Sequence, residues 1–441
     1  MPESRKLDVV IVGGGMITAI QILPSLYQMQ REGVVGSITI NALNGAPLKA
    51  LADDESLKTA FPGASFKPMP DWKKEGLEKQ FPEMFKDAIR TLPPYNLVVV
   101  AVPDQFHYAV VKEALAANQH VMCVKPLVLK HAQSVEIEKE AHAKGLVVGV
   151  EYHKRFDDRA LVTRKRYQAG MFGEFKAGQA RLVEPWYYRH SNFQNWFTCE
   201  NSDPFTYIAC HYVDQVNFIT GLLPVAVSVH GVKGKFPNGK EGFLWSQGRV
   251  IWENGAILDV MNGLGYPNDA PGGNTQGIMM LCEGADIGGL IDHHDQYRGV
   301  KHGMVKPIDN KVYHETSPDY FQFVPAGGEG LVPVGYGFRS IAYITRAAAK
   351  SNELAAGLDA KKALTVRQKH LEGLDSDGIM ATPKNSAFNE LVMEAGRLSI
   401  TNGGREVVID YGRNGSEPGV RFREAGEFDS VKPSAKAAKK K

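Results

Sequence analysis

Three groups of residues in this chain combine types and spacings that suit chemistry. Gly13, Gly14 and Gly15 follow an apolar run, Leu7 to Val12, and precede a helix-like stretch. A Gly13-x-Gly15 turn at a helix start lets the backbone approach a pyrophosphate, whose charge the helix amides and dipole stabilise. The third position of that fingerprint, where a small residue lets helix and strand pack closely, is Thr18. Lys125 ends the otherwise apolar run Val121-Met122-Cys123-Val124 and is followed by Pro126. At the carboxyl end of a parallel strand such a lysine faces the ligand crevice, where its ammonium can orient a hydroxyl and stabilise an alkoxide. Tyr207, His211 and Asp214 are spaced by four and three residues, which on a helix gives one face. His211 can accept and return a proton near neutrality. Asp214 suits the role of orienting it, and Tyr207 can hydrogen-bond His211 or a substrate, though it is a poorer base than a carboxylate.

The elements that must carry these groups are legible in the first 150 residues, where apolar runs alternate with amphipathic segments as in a parallel α/β sheet. Buried strands are predicted at Leu7 to Val12, Ser37 to Ala42, Leu97 to Val102, His120 to Val124 and Leu146 to Val150. Ile17, Ile20 and Leu23 form one side of the helix after the glycines. Asp104 is placed to cap the helix after Val102-Pro103, in which Phe106, Val110 and Ala114 make a core-facing stripe. Another helix is expected at His131 to Lys144. Residues 45–94 are polar and hold several prolines, as befits helices with an irregular insertion. Such repeats close into a doubly wound sheet. The acid expected at the end of its second strand is absent. Asn41 and Asn44 stand there instead, and an asparagine amide neither demands a ribose 2′-hydroxyl nor repels a 2′-phosphate. NAD and NADP both stay open, with NAD favoured because no arginine follows closely.

After residue 151 the runs Phe175 to Val183, Val225 to Val232, Arg249 to Trp252, Ala256 to Met261 and Gly277 to Cys282 alternate and read as a mostly antiparallel second sheet. Phe205 to Thr220 and Ser386 to Leu398 read as helices, and Glu406 to Tyr411 as a late strand. Trp186, Tyr187, Tyr188 and Arg189, followed by Trp196, suit either sugar stacking or core packing. In Asp292-His293-His294-Asp295 a strand would send alternate residues to opposite faces, so no one metal site gathers all four.

Composition narrows the classes. Hydrophobic residues make up 43% and charged residues 23%, as in globular chains, and the 441 residues suit two or three domains. The net charge is +2, with Lys432, Lys436, Lys439, Lys440 and Lys441 in a tail read as solvated and disordered, so the body does not resemble a nucleic-acid binder. No transmembrane run or secretory signal is evident, and Cys123, Cys199, Cys210 and Cys282 form no C-x-x-C, so a reduced cytoplasmic setting is expected.

The ordered set Gly13-x-Gly15, Val102-Pro103 with His107, Val121 to Pro126, Tyr152-His153-Lys154-Arg155-Phe156 and His211-x-x-Asp214 resembles the glucose-fructose oxidoreductase, inositol dehydrogenase and MocA family (Gfo/Idh/MocA). The resemblance covers residues 7 to about 300 and, more loosely, to about 345. It implies an N-terminal Rossmann domain, residues 1–150, and a substrate-binding and oligomerisation α/β domain, residues 151–428, with a large, mostly antiparallel open sheet. Residues 429–441 are the tail. It also implies a nicotinamide cofactor, a sugar or polyol substrate and a homodimer or homotetramer. Lys125 and His211 match the family's lysine and helix histidine; Val124 stands where the family has Glu, and Tyr207 where many members have Asp. These readings assign catalysis to Lys125, His211 and Tyr207. Cofactor contacts fall at Gly13, Gly15, Met16, Ile17, Asn41, Val102, Pro103, His107, Lys125, Lys154 and Arg155. Substrate contacts fall at Lys125, Tyr152, Trp186, Tyr188, His211 and Asp214. The expected activity is oxidation or reduction of a secondary alcohol on a sugar or polyol. The alternative is glycoside cleavage or elimination by transient oxidation with no net redox change, which Tyr207 in place of Asp favours; a cofactor-free binding protein is the remaining class.

Overall fold

The structure is a computed structural model that describes residues 5–270, 274–284, 288–294, 302–305, 313–316, 320–413 and 415–424. The basic tail and Asp295 lie outside the described residues. The chain divides into two compact units, one drawn from Met1–Val128, Ala132–Asp157 and Pro318–Ala387, the other from Leu129–His131, Asp158–Ser317 and Phe388–Lys441.

The first unit is built on a six-stranded parallel sheet: β1 (Leu7–Val12), β2 (Val35–Asn41), β3 (Lys67–Met69), β4 (Leu97–Val100), β5 (His120–Val124) and β6 (Val148–Glu151), in the order β3-β2-β1-β4-β5-β6. The order reverses between β1 and β4, which opens a crevice at their carboxyl ends. β4 is buried at all four positions because helices cover both faces of such a sheet. Two long C-terminal helices, Tyr336–Ala355 and Ala360–Asp377, belong to this unit. The first packs so closely on β6 that a Cβ on Gly149 would lie 2.6 Å from Ile344 Cγ2.

Two helix faces differ from the sequence reading. Thr18–Ile22 is a π-helical segment before the α-helix Leu23–Arg31, and its wider turn rotates the phase. Thr18, Gln21 and Ile22 are therefore buried, while Ile20 is exposed. After β4 a 3-10 turn, Asp104–Phe106, precedes the helix His107–Ala116. Pro103 and Phe106 hold the two cap positions, so Asp104 lies inside the turn, and His107 replaces the exposed Phe106 at the head of the buried stripe.

The second unit carries an eight-stranded mixed sheet. Its strands are β7 (Glu174–Pro185), β8 (Pro224–Lys235), β9 (Glu241–Trp252), β10 (Ile257–Tyr266), β11 (Thr275–Glu283) and β12 (Gly289–His294), completed by two late strands. In chain order two hairpins come between β12 and these, β13 (His302–Val305) with β14 (Tyr313–Thr316), and β15 (Gln322–Val324) with β16 (Val332–Val334), the second of which belongs to the first unit. The late strands are β17 (Val407–Asp410) and β18 (Gly419–Phe422), and the sheet order is β12-β11-β7-β10-β9-β8-β17-β18. All its pairings are antiparallel except β10 with β7. Phe205 joins sheet to helix: Cβ atoms on Gly248 and Gly396 would lie 2.5 and 2.4 Å from its ring. Truncating so enclosed a ring costs about 3–5 kcal/mol. β12 has the alternation expected of a strand, with Asp292 exposed and His293 buried against Gln215 at 3.1 Å.

Candidate functional site

In the first unit the glycine turn closes the carboxyl end of β1. Gly13 has φ +119°, and a Cβ there would lie 2.1 Å from the carbonyl oxygen of Ala101. That position therefore requires glycine twice over, for its backbone angle and for the approach of β4. Gly15 is different: a Cβ would meet nothing within 4 Å. Its openness leaves room for a ligand against the backbone, as a pyrophosphate needs. Thr18, at the third fingerprint position, is fully buried and donates its hydroxyl to the Gly13 carbonyl at 2.6 Å, so it packs without leaving an orphan polar atom. Met16 is exposed beside the turn and Ile17 is half-buried.

At the end of β2, Asn41 is buried and donates to the carbonyl of Met69 at 3.1 Å. Asn44 is the N-cap of the helix Gly45–Asp53, accepting from the Ala46 amide at 3.2 Å, so its side-chain oxygen serves that helix.

His107 ties two strand ends together. Its Nδ1 lies 2.8 Å from the carbonyl of Pro126 and its Nε2 2.8 Å from that of Val102. Burial holds its pKa below the ordinary value, against the opposing pull of Asp104 and the carbonyls. The ring is fully buried, so it acts on the crevice through the Val102-Pro103 and Lys125-Pro126 turns. Lys125 is 9% exposed at the end of β5, and its bond to Pro126 is cis.

Beyond β6, Tyr152, Lys154 and Arg155 are buried. Arg155 donates to the carbonyl of Gly378 and to Asn385, both at 3.3 Å, which anchors the C-terminal segment. A polar network unread in the sequence surrounds Glu151, a carboxylate ending the apolar run Val147 to Val150. Its Oε1 accepts from Gln21 at 2.7 Å and from Ser340 at 2.6 Å, and its Oε2 lies 3.1 Å from His153 Nδ1. The signal was the one that singled out Lys125, an ionisable residue closing an apolar strand.

In the second unit, Asp203 starts the segment carrying Tyr207 and His211. Its carboxylate accepts from the Thr206 amide at 2.9 Å and pairs with Arg397 at 3.1 Å. The segment begins as a π-helical turn, Phe205–Ala209, and continues as the α-helix Cys210–Thr220. The Tyr207 ring packs edge-on against Trp196, Phe193 and Phe197, with centroids 4.6–5.4 Å apart. His211 is 5% exposed, and Asp214 is buried, accepting from Asn389 at 3.1 Å. Tyr188 is core, stacked on Phe193 at 5.0 Å. Trp186 keeps 44% of its surface exposed, with the Arg189 guanidinium 3.7 Å from its ring centroid, so of the two aromatics it is the one offering a face. The first unit thus carries a crevice of the nucleotide-binding type with Lys125 at its edge, and the second carries His211 on a helix. No group of three His, Cys, Asp or Glu suited to a metal occurs among the described residues.

Residues 7–152 match the model of the Gfo/Idh/MocA family, an oxidoreductase family with an NAD-binding Rossmann fold. An uncharacterized oxidoreductase of Bacillus subtilis (strain 168) is 34% identical over 93 residues, 21% of this chain and 24% of that protein. D-glucoside 3-dehydrogenase of Escherichia coli (strain K12) is 29% identical over 140 residues, 31% of this chain and 38% of that protein. The chain thus matches only a quarter to two fifths of the length of these curated relatives. Scyllo-inositol dehydrogenase from Lactobacillus casei, solved with NAD(H) and scyllo-inositol, shares the fold with a TM-score of 0.55 over 92% of this chain and 99% of that one, at 14% identity.

Proposed function

We propose, from the premise that residues 7–152 belong to the Gfo/Idh/MocA oxidoreductases, that this protein transfers hydride between a nicotinamide cofactor and a secondary alcohol of a sugar, polyol or sugar derivative. The observation that carries the reading is the contrast within the glycine turn. Gly13 is forced by the fold, whereas Gly15 is open to a ligand. The crevice fits a dinucleotide at the point where such sheets bind one. The bound nicotinamide supplies the hydride acceptor. Gly13, Gly15 and the following helix start hold its pyrophosphate, with Met16 and Ile17 beside it. Asn41 leaves NAD and NADP both open, and the absence of an arginine close after β2 favours NAD. His107 fixes the Val102-Pro103 and Lys125-Pro126 turns, so that the Lys125 ammonium is presented to the substrate oxygen and stabilises negative charge there. His211, oriented by Asp214, takes the hydroxyl proton, and Trp186 offers a stacking face to a sugar ring.

Two further readings belong with it. Across the exposed face of the second sheet, Leu290, Leu281, Ala177, Ile257 and Ile251 stand in register on five adjacent strands, an apolar row that supports a homo-oligomer. The four cysteines are free thiols and no described helix is long and apolar enough to cross a membrane; the thiols support a reducing, cytoplasmic setting.

The test begins with nucleotide recovered from the denatured protein and titration of stripped protein with NAD(H) and NADP(H). Panels of polyols and glycosides then follow, with NADH production expected and lost in Lys125→Ala and His211→Ala. Failure of every nicotinamide to bind overturns the proposal. Product formed with only catalytic NAD, and carrying solvent deuterium beside the oxidised carbon, would replace it with elimination by transient oxidation.

A further inference from the structure

Glu151 and His153 form a carboxylate–imidazole pair at the carboxyl edge of the parallel sheet, and none of the roles above uses it. Glu151 is 2% exposed. Its Oε1 is already held by two donors, Gln21 Nε2 and Ser340 Oγ, so the carboxylate has a fixed orientation toward His153 Nδ1. Gln21 is fixed in turn: its Nε2 also donates to the Gly337 carbonyl at 3.0 Å, and its Oε1 accepts from the Tyr320 hydroxyl. The imidazole is stacked on Tyr336 at 5.5 Å and tilted against Tyr320 at 5.1 Å, with 13% of its side chain exposed. A histidine whose Nδ1–H is given to a carboxylate carries its exchangeable site at Nε2.

The ring's place in the sheet gives that site a use. A dinucleotide lying across the crevice has one half over the β2 side and the other over the β4-β5-β6 side. Asn41 terminates β2, whereas Lys125 directly follows β5 and Glu151 terminates β6. A nicotinamide held to face Lys125 would lie on the β4-β5-β6 side, the edge that also carries His153. The ring of NAD bears a positive charge and that of NADH none, so the cost of a proton on a neighbouring imidazole depends on which form is bound.

We propose that the Glu151–His153 pair is a proton site coupled to the redox state of the nicotinamide, neutral beside the oxidised ring and taking one proton from solvent at His153 Nε2 beside the reduced ring. The inference rests on the proposed nicotinamide binding and adds to it a role for this chain's own residues. Among the described residues, the charged and titratable groups around the ring are Glu151, Lys154, Lys125 and the phenols of Tyr320 and Tyr336. Burial holds the imidazole below its ordinary value; Glu151 pulls it up, and the Lys154 and Lys125 ammoniums push it further down. Lowering the pH therefore weakens NAD binding relative to NADH, and the effect develops below the ordinary histidine range.

The full chain, stripped of nucleotide, is titrated with NAD and separately with NADH from pH 8 to pH 5, and proton uptake is read by calorimetry in two buffers of different ionisation enthalpy. The ratio of the NAD to the NADH dissociation constant rises about tenfold across this range, as a single neighbouring charge would produce. NADH binding takes up a fraction of a proton that NAD binding does not. His153→Asn abolishes both effects while still binding NADH at pH 8. Glu151→Gln shifts the rise to lower pH, because the neutral amide no longer supports the imidazolium. A flat ratio in the wild type with both nucleotides bound, or an unchanged rise in His153→Asn, overturns the coupling and leaves the oxidoreductase reading intact. No binding of either nucleotide at any pH overturns both.

Discussion

Alanine at Gly13 and alanine at Gly15 are the same substitution two residues apart, and the structure gives them opposite consequences. At Gly13 the φ of +119° lies where side chains are rarely accommodated, a strain of about 1–3 kcal/mol. The new Cβ would also lie 2.1 Å from the Ala101 oxygen and 2.6 Å from its carbon. These are backbone atoms that cannot swing aside, so relief must come from parting β1 and β4, for about another 1–3 kcal/mol. Gly13→Ala should therefore lose about 2–6 kcal/mol, a fall in Tm of at least about 5 °C for a unit of this size. At Gly15 the methyl meets nothing, and stability should change by less than about 0.5 kcal/mol. The same methyl intrudes on the gap through which the backbone meets a pyrophosphate, so NADH affinity should fall about tenfold, or about 1.4 kcal/mol. Scanning calorimetry and NADH fluorescence titration on both variants separate the effects. Wild-type melting of Gly13→Ala would refute the steric argument, and wild-type NADH affinity in Gly15→Ala would refute the assignment of the turn.

His120 should make the first unit acid-sensitive. Its Nδ1 accepts from the Val147 amide and its Nε2 meets Asn352, which fixes the neutral form, and burial pushes its pKa down to about 3. The unfolded chain binds this proton below about pH 6.5, so the stabilisation is present above that pH and is lost as pH falls toward 3. Between pH 7 and 5 this amounts to about 2 kcal/mol, and urea unfolding of His120→Gln should show a correspondingly shallower acid dependence. Asp203→Ala removes both the acceptor of the Thr206 amide and the partner of Arg397, and should cost about 3 kcal/mol in denaturant unfolding. Gly149→Ala should destabilise by about 1–3 kcal/mol through Ile344, and Ile344→Ala in the same chain should relieve much of the clash, as a double-mutant cycle would read.

Strand positions were legible because buried parallel strands are short, apolar and β-branched, as at Leu97–Val100 and His120–Val124. Helix phase was less so. A periodicity of 3.6 cannot anticipate the π-helical turn at Thr18–Ile22 or the 3-10 turn at Asp104–Phe106; the first exposes Ile20 and buries Gln21, and the second puts His107 in place of Phe106 at the head of a stripe that keeps Val110 and Ala114. The three-residue β3 is too short to leave a pattern. Lys125 was found because a charge at the end of an apolar strand is costly without a use. Glu151 obeys the same rule, but its partners Gln21 and Ser340 are distant by 130 and 189 residues and no local signal joins them. The alanine-rich helix Tyr336–Ala355 was not read from the sequence, although its Ile341, Ile344, Ala347 and Ala348 complete the core of the first unit.

That late helix has a bearing on biosynthesis. The ribosome releases β1 to β6 well before it has made Tyr336–Ala355, and the whole of β7 to β14 emerges in between. Until then the surface of β6 around Gly149 lacks its cover, so the nascent N-terminal segment presents apolar sheet to solvent for nearly half of translation. A fragment ending at Asp157 should accordingly be aggregation-prone. Folding of the first unit is expected to be post-translational or chaperone-assisted, with the closure of a loop of roughly 200 residues setting its slow step.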